Sequence, residues 1–191
     1  MVDSVKVAEF GDSGVVVEVY HKYVGSAQKV FFDVVCATEC VEGTARYFSP
    51  FTRVPNIPLM VMSVVEAMTY ISERHKEMRD GDGAREVPEM SGSSCSGLKE
   101  LEPSAVMQDV TSLKEFSKGS VVAELVATEE GEVTSFSVCC WREYVNGAGD
   151  REREFFIQQR DLRDLIIVLL RAWMYVRDNW GDSTSASARR W

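Results

Sequence analysis

The chain has 191 residues, 45% of them hydrophobic, and a formal net charge of −9. That apolar content suffices for a real core and excludes a disordered chain, while five cysteines, an odd count with Cys139 and Cys140 adjacent, read as reduced intracellular thiols rather than a disulfide framework. The acid excess runs through both halves and argues against a generic grip on a phosphate backbone, because that grip comes from Lys and Arg releasing counterions; any basic surface has to be assembled by the fold from scattered residues.

The opening MVDSVKVAEF has neither a basic stretch nor an apolar run, so no secretory leader is expected. Residues 5–10 alternate in polarity and predict a strand, Gly11–Gly14 a turn, and Val15–Lys22 a second strand. The β-branched and aromatic run over 29–38, KVFFDVVCAT, predicts a mostly covered third strand. A fourth follows over 44–52, with Pro50 demoting its end to an edge or bulge. Asn56 and Pro58 mark a helix start, and the pattern then holds to about Met78. The methionines of that helix are soft packing material rather than a cofactor box. Residues 79–105, rich in glycine, serine, proline and charge, read as a flexible linker. Four more strands are predicted at 106–116, 120–128, 133–143 and 151–158, then a long helix from Asp161 to Asp178, with 181–191 as a tail. Leu162, Leu165, Ile166, Leu169, Trp173 and Val176 form one stripe of that helix, and Ile167, Val168, Leu170 and Met174 make much of the rest apolar too. A helix greasy on several sides needs several partners. It is too short, and too interrupted by Arg171, to span a bilayer, so no membrane partner is expected.

The second half echoes the first at a constant spacing of 105 residues. Gly14, Val16 and Val17 recur as Gly119, Val121 and Val122, Phe31 as Phe136, Phe51 as Phe156, Ala67 as Ala172 and Tyr70 as Tyr175. The order of elements recurs as well. The expected fold is therefore α+β: one pseudo-symmetric domain over 1–191, built of β-β-β-β-α units at 5–78 and 106–180, with two antiparallel sheets packed around two helices. Apolar helix surface left over after that packing predicts an oligomer centred on the helices.

Candidate chemistry is sparse. Arg151 and Arg153 share one face of a strand, and on an exposed face their forks suit phosphate oxygens; the alternative is a charged edge that discourages strand pairing. Trp141 and Arg142 end the preceding strand, where Trp141 either stacks a base or belongs to the rim or core. Lys29 and Arg46 are the first-half counterparts, with Arg46 equally able to pair with a carboxylate. His21 and His75 lack a ligand partner, and Cys36, Cys40, Cys139 and Cys140 lack the geometry of a zinc site, so no metal is expected. There is no phosphate-binding glycine loop and no Gly-x-Ser-x-Gly elbow, so neither a cofactor nor a catalytic residue is assigned and the chain is not expected to be an enzyme.

The stretch SKGSVVAELVATEEGEVTSFSVCCWREY over 117–144, then REREFFIQ and the helix ending RAWMYVRDNWG, resembles the Whirly family and the related kinetoplastid mitochondrial RNA-binding proteins. The resemblance implies a Whirly-like homo- or hetero-tetramer that binds single-stranded RNA or DNA along its sheet edges in organellar RNA processing or gene expression. It also implies mitochondrial localisation and a contact at Lys118 and Gly119, which match the family's Lys-Gly strand opening. The first half departs from that motif, with Ser13 before Gly14. A competing resemblance is to the acidic mitochondrial matrix glycoprotein family, whose long N-terminal helix is missing here. It implies a non-catalytic adaptor or scaffold that contacts a protein partner within a ribonucleoprotein complex.

Overall fold

The computed structural model describes residues 4–24, 29–42, 45–79, 110–130 and 133–180. The expected linker, from residue 80 on, and the tail at 181–191 lie outside the described residues. The first half contributes β1 (Ser4–Phe10), β2 (Val15–Val24), β3 (Lys29–Glu42), β4 (Ala45–Ser49), β5 (Phe51–Arg53) and helix α1 (Ile57–Arg79). The second contributes β6 (Thr111–Lys118), β7 (Val121–Glu130), β8 (Val133–Val145), β9 (Arg151–Glu154), β10 (Ile157–Gln158) and helix α2 (Leu162–Trp180). The class is α+β, with two five-stranded antiparallel sheets and two helices.

Each sheet borrows a strand. β1, β2 and β3 pair in order, and β3 takes β4 along one part of its free edge and β10 along another. In the second sheet β6, β7 and β8 pair in order, and β8 takes β9 and β5. The fourth strand predicted in each half is thus two short strands in different sheets. Pro50 separates β4 from β5, and Phe155 and Phe156 separate β9 from β10. Proline lacks the N–H a ladder needs, so the pairing is interrupted there and the chain is free to change sheets. Thr52 then pairs with Val138, and Ile157 with Val34.

The helices lie on the inner faces and touch one another as well as the sheets. α1 buries Ile57, Met60, Ser63, Val64, Ala67 and Ile71, and α2 buries Leu162, Leu165, Val168, Leu169, Ala172 and Val176. Each of these α2 residues follows its α1 counterpart by 105 positions. One core cluster joins these positions to Val17, Val19, Phe32 and Val34 of one sheet and to Val121, Ala123, Leu125 and Val138 of the other. By length and composition residues 54–79 could cross a membrane, but here α1 packs on β1, β2 and α2.

Strand alternation leaves a second, smaller cluster on the outer face of each sheet. Tyr20, Val35 and Ala37 sit with Phe48 and Phe156 on one, and Val122, Cys139, Trp141 and Phe155 with Phe51 on the other. Phe156 and Phe51 stand at the crossings, so each borrowed segment also covers the sheet it joins.

A chain whose sheets share strands unfolds as one unit. Ile157→Ala removes a fully buried side chain from a crossing strand and is expected to cost about 2–5 kcal/mol. In urea denaturation it should shift a single transition observed alike by fluorescence and circular dichroism; two separable transitions would contradict the shared architecture.

Candidate nucleic-acid interface

The sequence candidates divide between two faces of the second sheet. β8 and β9 pair Glu143 with Arg153, Arg142 with Glu154 and Val145 with Arg151. Arg151, Arg153, Glu143 and Trp141 therefore share the outer face, as the two-residue spacing predicted for the arginines. Lys118 pairs with Val121, which pairs with Arg142, so Lys118 and Arg142 belong to the row on the helix side. Lys118 ends β6 rather than opening β7, and Gly119 occupies the turn between them. Lys29 on β3 pairs with Val24 on β2, and Arg46 on β4 pairs with Val41 on β3, both in the other sheet, and their side chains lie outside what is described. The eight candidates thus do not form one patch.

Two of the four candidate cations with described side chains, Arg142 and Arg153, are already engaged. Trp141 is fully buried, so its ring is core rather than an open base platform. Arg153 lies over that ring at 4.6 Å, and its Nε donates to Glu143 Oε1 at 3.2 Å. Glu143 Oε1 also accepts from Trp141 Nε1 at 3.4 Å. Arg142 is 8% exposed, is ion-paired to Glu154 and lies 5.2 Å from the Tyr144 ring; its buried Nε has no hydrogen-bond partner among the described residues. A guanidinium held by both a carboxylate and an aromatic face has little left for a phosphate.

Lys118 and Arg151 are exposed, and among the described residues no ion pair reaches either. Arg151 stands on the outer face. It lines an open groove of about 380 Å³ with Glu115, Ser117, Gly119, Ser120, Val122, Glu143, Tyr144 and Val145. The groove lies where the β6–β7 turn meets the β8–β9 hairpin, and the Glu143 N–H donating to the Ser120 carbonyl at 2.8 Å ties those ends together. Gly119 takes a positive φ of 59° in the turn, and a Cβ there would stand 2.5 Å from Asp164 Oδ2, so glycine also lets the start of α2 come close. In the hairpin the Asn146 side chain accepts from the Ala148 and Asp150 N–H groups, at 2.9 and 3.0 Å. Tyr144 donates to Glu152 at 2.5 Å, and Asn146 donates to the same carboxylate at 2.6 Å. These bonds hold the Glu152 pKa below its ordinary value and raise that of Tyr144.

Sequence reasoning missed Glu115, Ser117, Ser120 and Glu143 as groove residues. The available signal was the turn at Gly119 and the hairpin at Asn146–Asp150, whose coincidence in space depends on strand register.

On the equivalent face of the first sheet, the described charges around Glu18 are paired. Glu18 is fully buried, accepting from Tyr20 at 2.5 Å and from Lys6 at 2.9 Å, while Lys6 also reaches Glu9 at 2.8 Å. Burial works against the Lys6 charge, but the two carboxylates outweigh it and raise its pKa above that of ordinary lysine. Cys139 is fully buried and its thiol is pushed up to about 12 by burial, as is that of Cys36, which packs against the main core.

Among the described residues no group of three or more His, Cys, Asp or Glu side chains is placed to hold a metal ion. His75 shares a 2.8 Å hydrogen bond with Gln159, joining α1 to the segment just before α2, and both histidine rings contact Phe32. His21 is buried, and burial lowers its pKa below 6.5. The folded protein then binds fewer protons at this group than the unfolded chain, so the His21 contribution is present above the unfolded pKa and lost as pH falls below about 6.5. The urea midpoint is accordingly expected to fall between pH 7 and pH 5, and to fall less in His21→Gln; equal slopes would contradict this linkage.

Compared with known proteins, the chain matches no family model, and no curated protein is significantly similar to it.

Proposed function

We propose that the protein is a non-catalytic, oligomeric binder of single-stranded RNA or DNA, built from a duplicated β-β-β-β-α unit of Whirly-like design and acting in organellar RNA processing. Support for the duplication comes from the six buried helix positions that recur at a spacing of 105 residues and from the reciprocal strand exchange between the halves. The observation that carries the binding reading is the groove containing Arg151, where an exposed guanidinium without an internal ion pair stands beside the Gly119 turn, two serines and Tyr144. Such a site suits a phosphate of a flexible strand, whose backbone can enter an open groove. Glu115 and Glu143 line the same groove, so affinity is modest and salt-sensitive.

A second reading, an acidic scaffold within a ribonucleoprotein complex, is favoured by the outer faces of the helices. Met62 and Val65 on α1 and Ile167, Leu170 and Met174 on α2 are exposed at 36–62%. Met62 and Val65 correspond to Ile167 and Leu170 at the 105-residue spacing. Exposed apolar side chains of this size on two neighbouring helices suit an interface with another chain, whether a second copy or a partner.

Fluorescence anisotropy with labelled single-stranded RNA, single-stranded DNA and duplex at physiological salt tests the first reading. Saturable single-strand binding is expected, weakened roughly tenfold by Arg151→Ala and less by Lys118→Ala on the other face. No binding to any single strand, or equal effects of the two variants, would count against the groove. Light scattering tests assembly: the 21.4 kDa chain is expected to be oligomeric, and the Met62→Glu/Leu170→Glu double variant to dissociate while keeping its circular dichroism spectrum. A wild-type monomer would contradict a helix-centred oligomer.

A further inference from the structure

Arg53, Lys118, Arg151 and Arg163 are exposed, and among the described residues no ion pair reaches any of them. Strand pairing sorts these four. Lys118 belongs to the helix side of the second sheet and Arg163 to the first turn of α2. Arg53 stands two residues beyond Phe51, which packs in the outer cluster with Trp141, so alternation places Arg53 on the outer face, the face that also carries Arg151.

The two arginines also share an edge. Cys139 pairs with Glu124 on one side and Phe51 on the other, and Arg142 with Val121 on one side and Glu154 on the other. β5 and β9, one from each half of the chain, therefore lie end to end along β8, on the side away from β7. On the outer face β8 sets Ser137 beside Arg53, then Cys139, Trp141 and Glu143, and Val145 beside Arg151. Of these five only Glu143 is a carboxylate, and it already accepts from Arg153 and Trp141. From Ser137 to Val145 is eight residues, about 26 Å at the rise of a β-strand. That distance exceeds the Debye length of ~8 Å at physiological salt, so the two guanidinium groups act on a ligand independently. It suits two phosphates of one strand separated by several nucleotides, and single-strand sites take ~4–16 nucleotides.

We propose that a single strand runs along this edge of the second sheet, with one phosphate on Arg151 in the groove and another, several nucleotides away, on Arg53. The inference rests on the single-strand reading above and adds to it a second contact and a path. It gives the strand exchange a use in binding, since β5 carries a cation of the first half onto the sheet that holds the groove. Between the two contacts, the half-buried Phe51 ring and the Arg153 guanidinium over Trp141 present flat surfaces on which bases can stack.

The test uses the full chain, as wild type, Arg53→Ala, Arg151→Ala, the double variant and Arg163→Ala. Each is titrated by anisotropy with labelled oligouridines of about 12 and about 3 nucleotides, at several salt concentrations. On the longer strand Arg53→Ala is expected to weaken binding about fivefold and to lower the slope of log affinity against log salt by about 0.7. The Arg53 and Arg151 losses should multiply in the double variant, as expected of distant sites. Arg163→Ala removes the same charge from the α2 side and should leave affinity nearly unchanged. On the shorter strand, which cannot reach both arginines, Arg151→Ala should weaken binding and Arg53→Ala should not. If Arg53→Ala binds the longer strand as wild type does, or no more weakly than Arg163→Ala does, the path falls and the single-strand reading stands. An equal Arg53→Ala loss on both strands would also overturn the path, because the loss would not depend on reach. If neither strand binds the wild-type protein, both inferences fall. Arg53 is exposed, so its variant is expected to keep the wild-type circular dichroism spectrum.

Discussion

The structure depends on an exchange of short strands between its halves. Phe51–Arg53 leaves the first half to pair with β8, and Ile157–Gln158 leaves the second to pair with β3. Each exchange completes a sheet, delivers an aromatic residue to that sheet's outer cluster, and turns the chain into the helix that covers the inner face. Two sheets joined in this way cannot slide apart without losing ladder bonds and buried area together. The helices sit between commitments on both sides, which explains why their buried positions follow the same pattern.

That rigidity governs the electrostatics of the outer faces. Antiparallel register sets residues opposite one another regardless of what function asks of them. On the second sheet it puts Arg153 against Glu143 and Arg142 against Glu154. On the first, the Glu18 carboxylate is buried with Tyr20 and Lys6. What matters for an anionic ligand is which exposed cations are left without a carboxylate; among the described residues these include Arg53, Lys118, Arg151 and Arg163. Arg151 escapes because its cross-strand partner is Val145, at the open end of a hairpin.

The interior of this fold is closed. The central strands are filled with valine, alanine and cysteine packed on both faces, and those thiols, with pKa values raised by burial, behave as small apolar groups. The open features lie where two turns converge beside Gly119 and along the helix faces that point away from the core. One is polar and concave, the other apolar.

Much of this was legible in the chain. The helix stripes, the strands, the glycine turn at residue 119 and the shared face of Arg151 and Arg153 follow from local rules of 3.6- and 2-residue periodicity, which a sequence displays directly. Pro50 signalled an interruption. It did not signal that Phe51–Arg53 joins the other sheet, because the partner strand lies in the other half of the chain and strand pairing has no local signature. Trp141 read equally as a stacking platform or as core, and its burial under Arg153 follows from the next strand folding back across it. The sequence alone determined which segments form strands and helices and which way their apolar residues point, since backbone geometry is local. Only the tertiary structure decided which strands complete which sheet, which arginines are spent on carboxylates and that two distant turns enclose a groove, because these depend on register between segments that meet only in the folded chain.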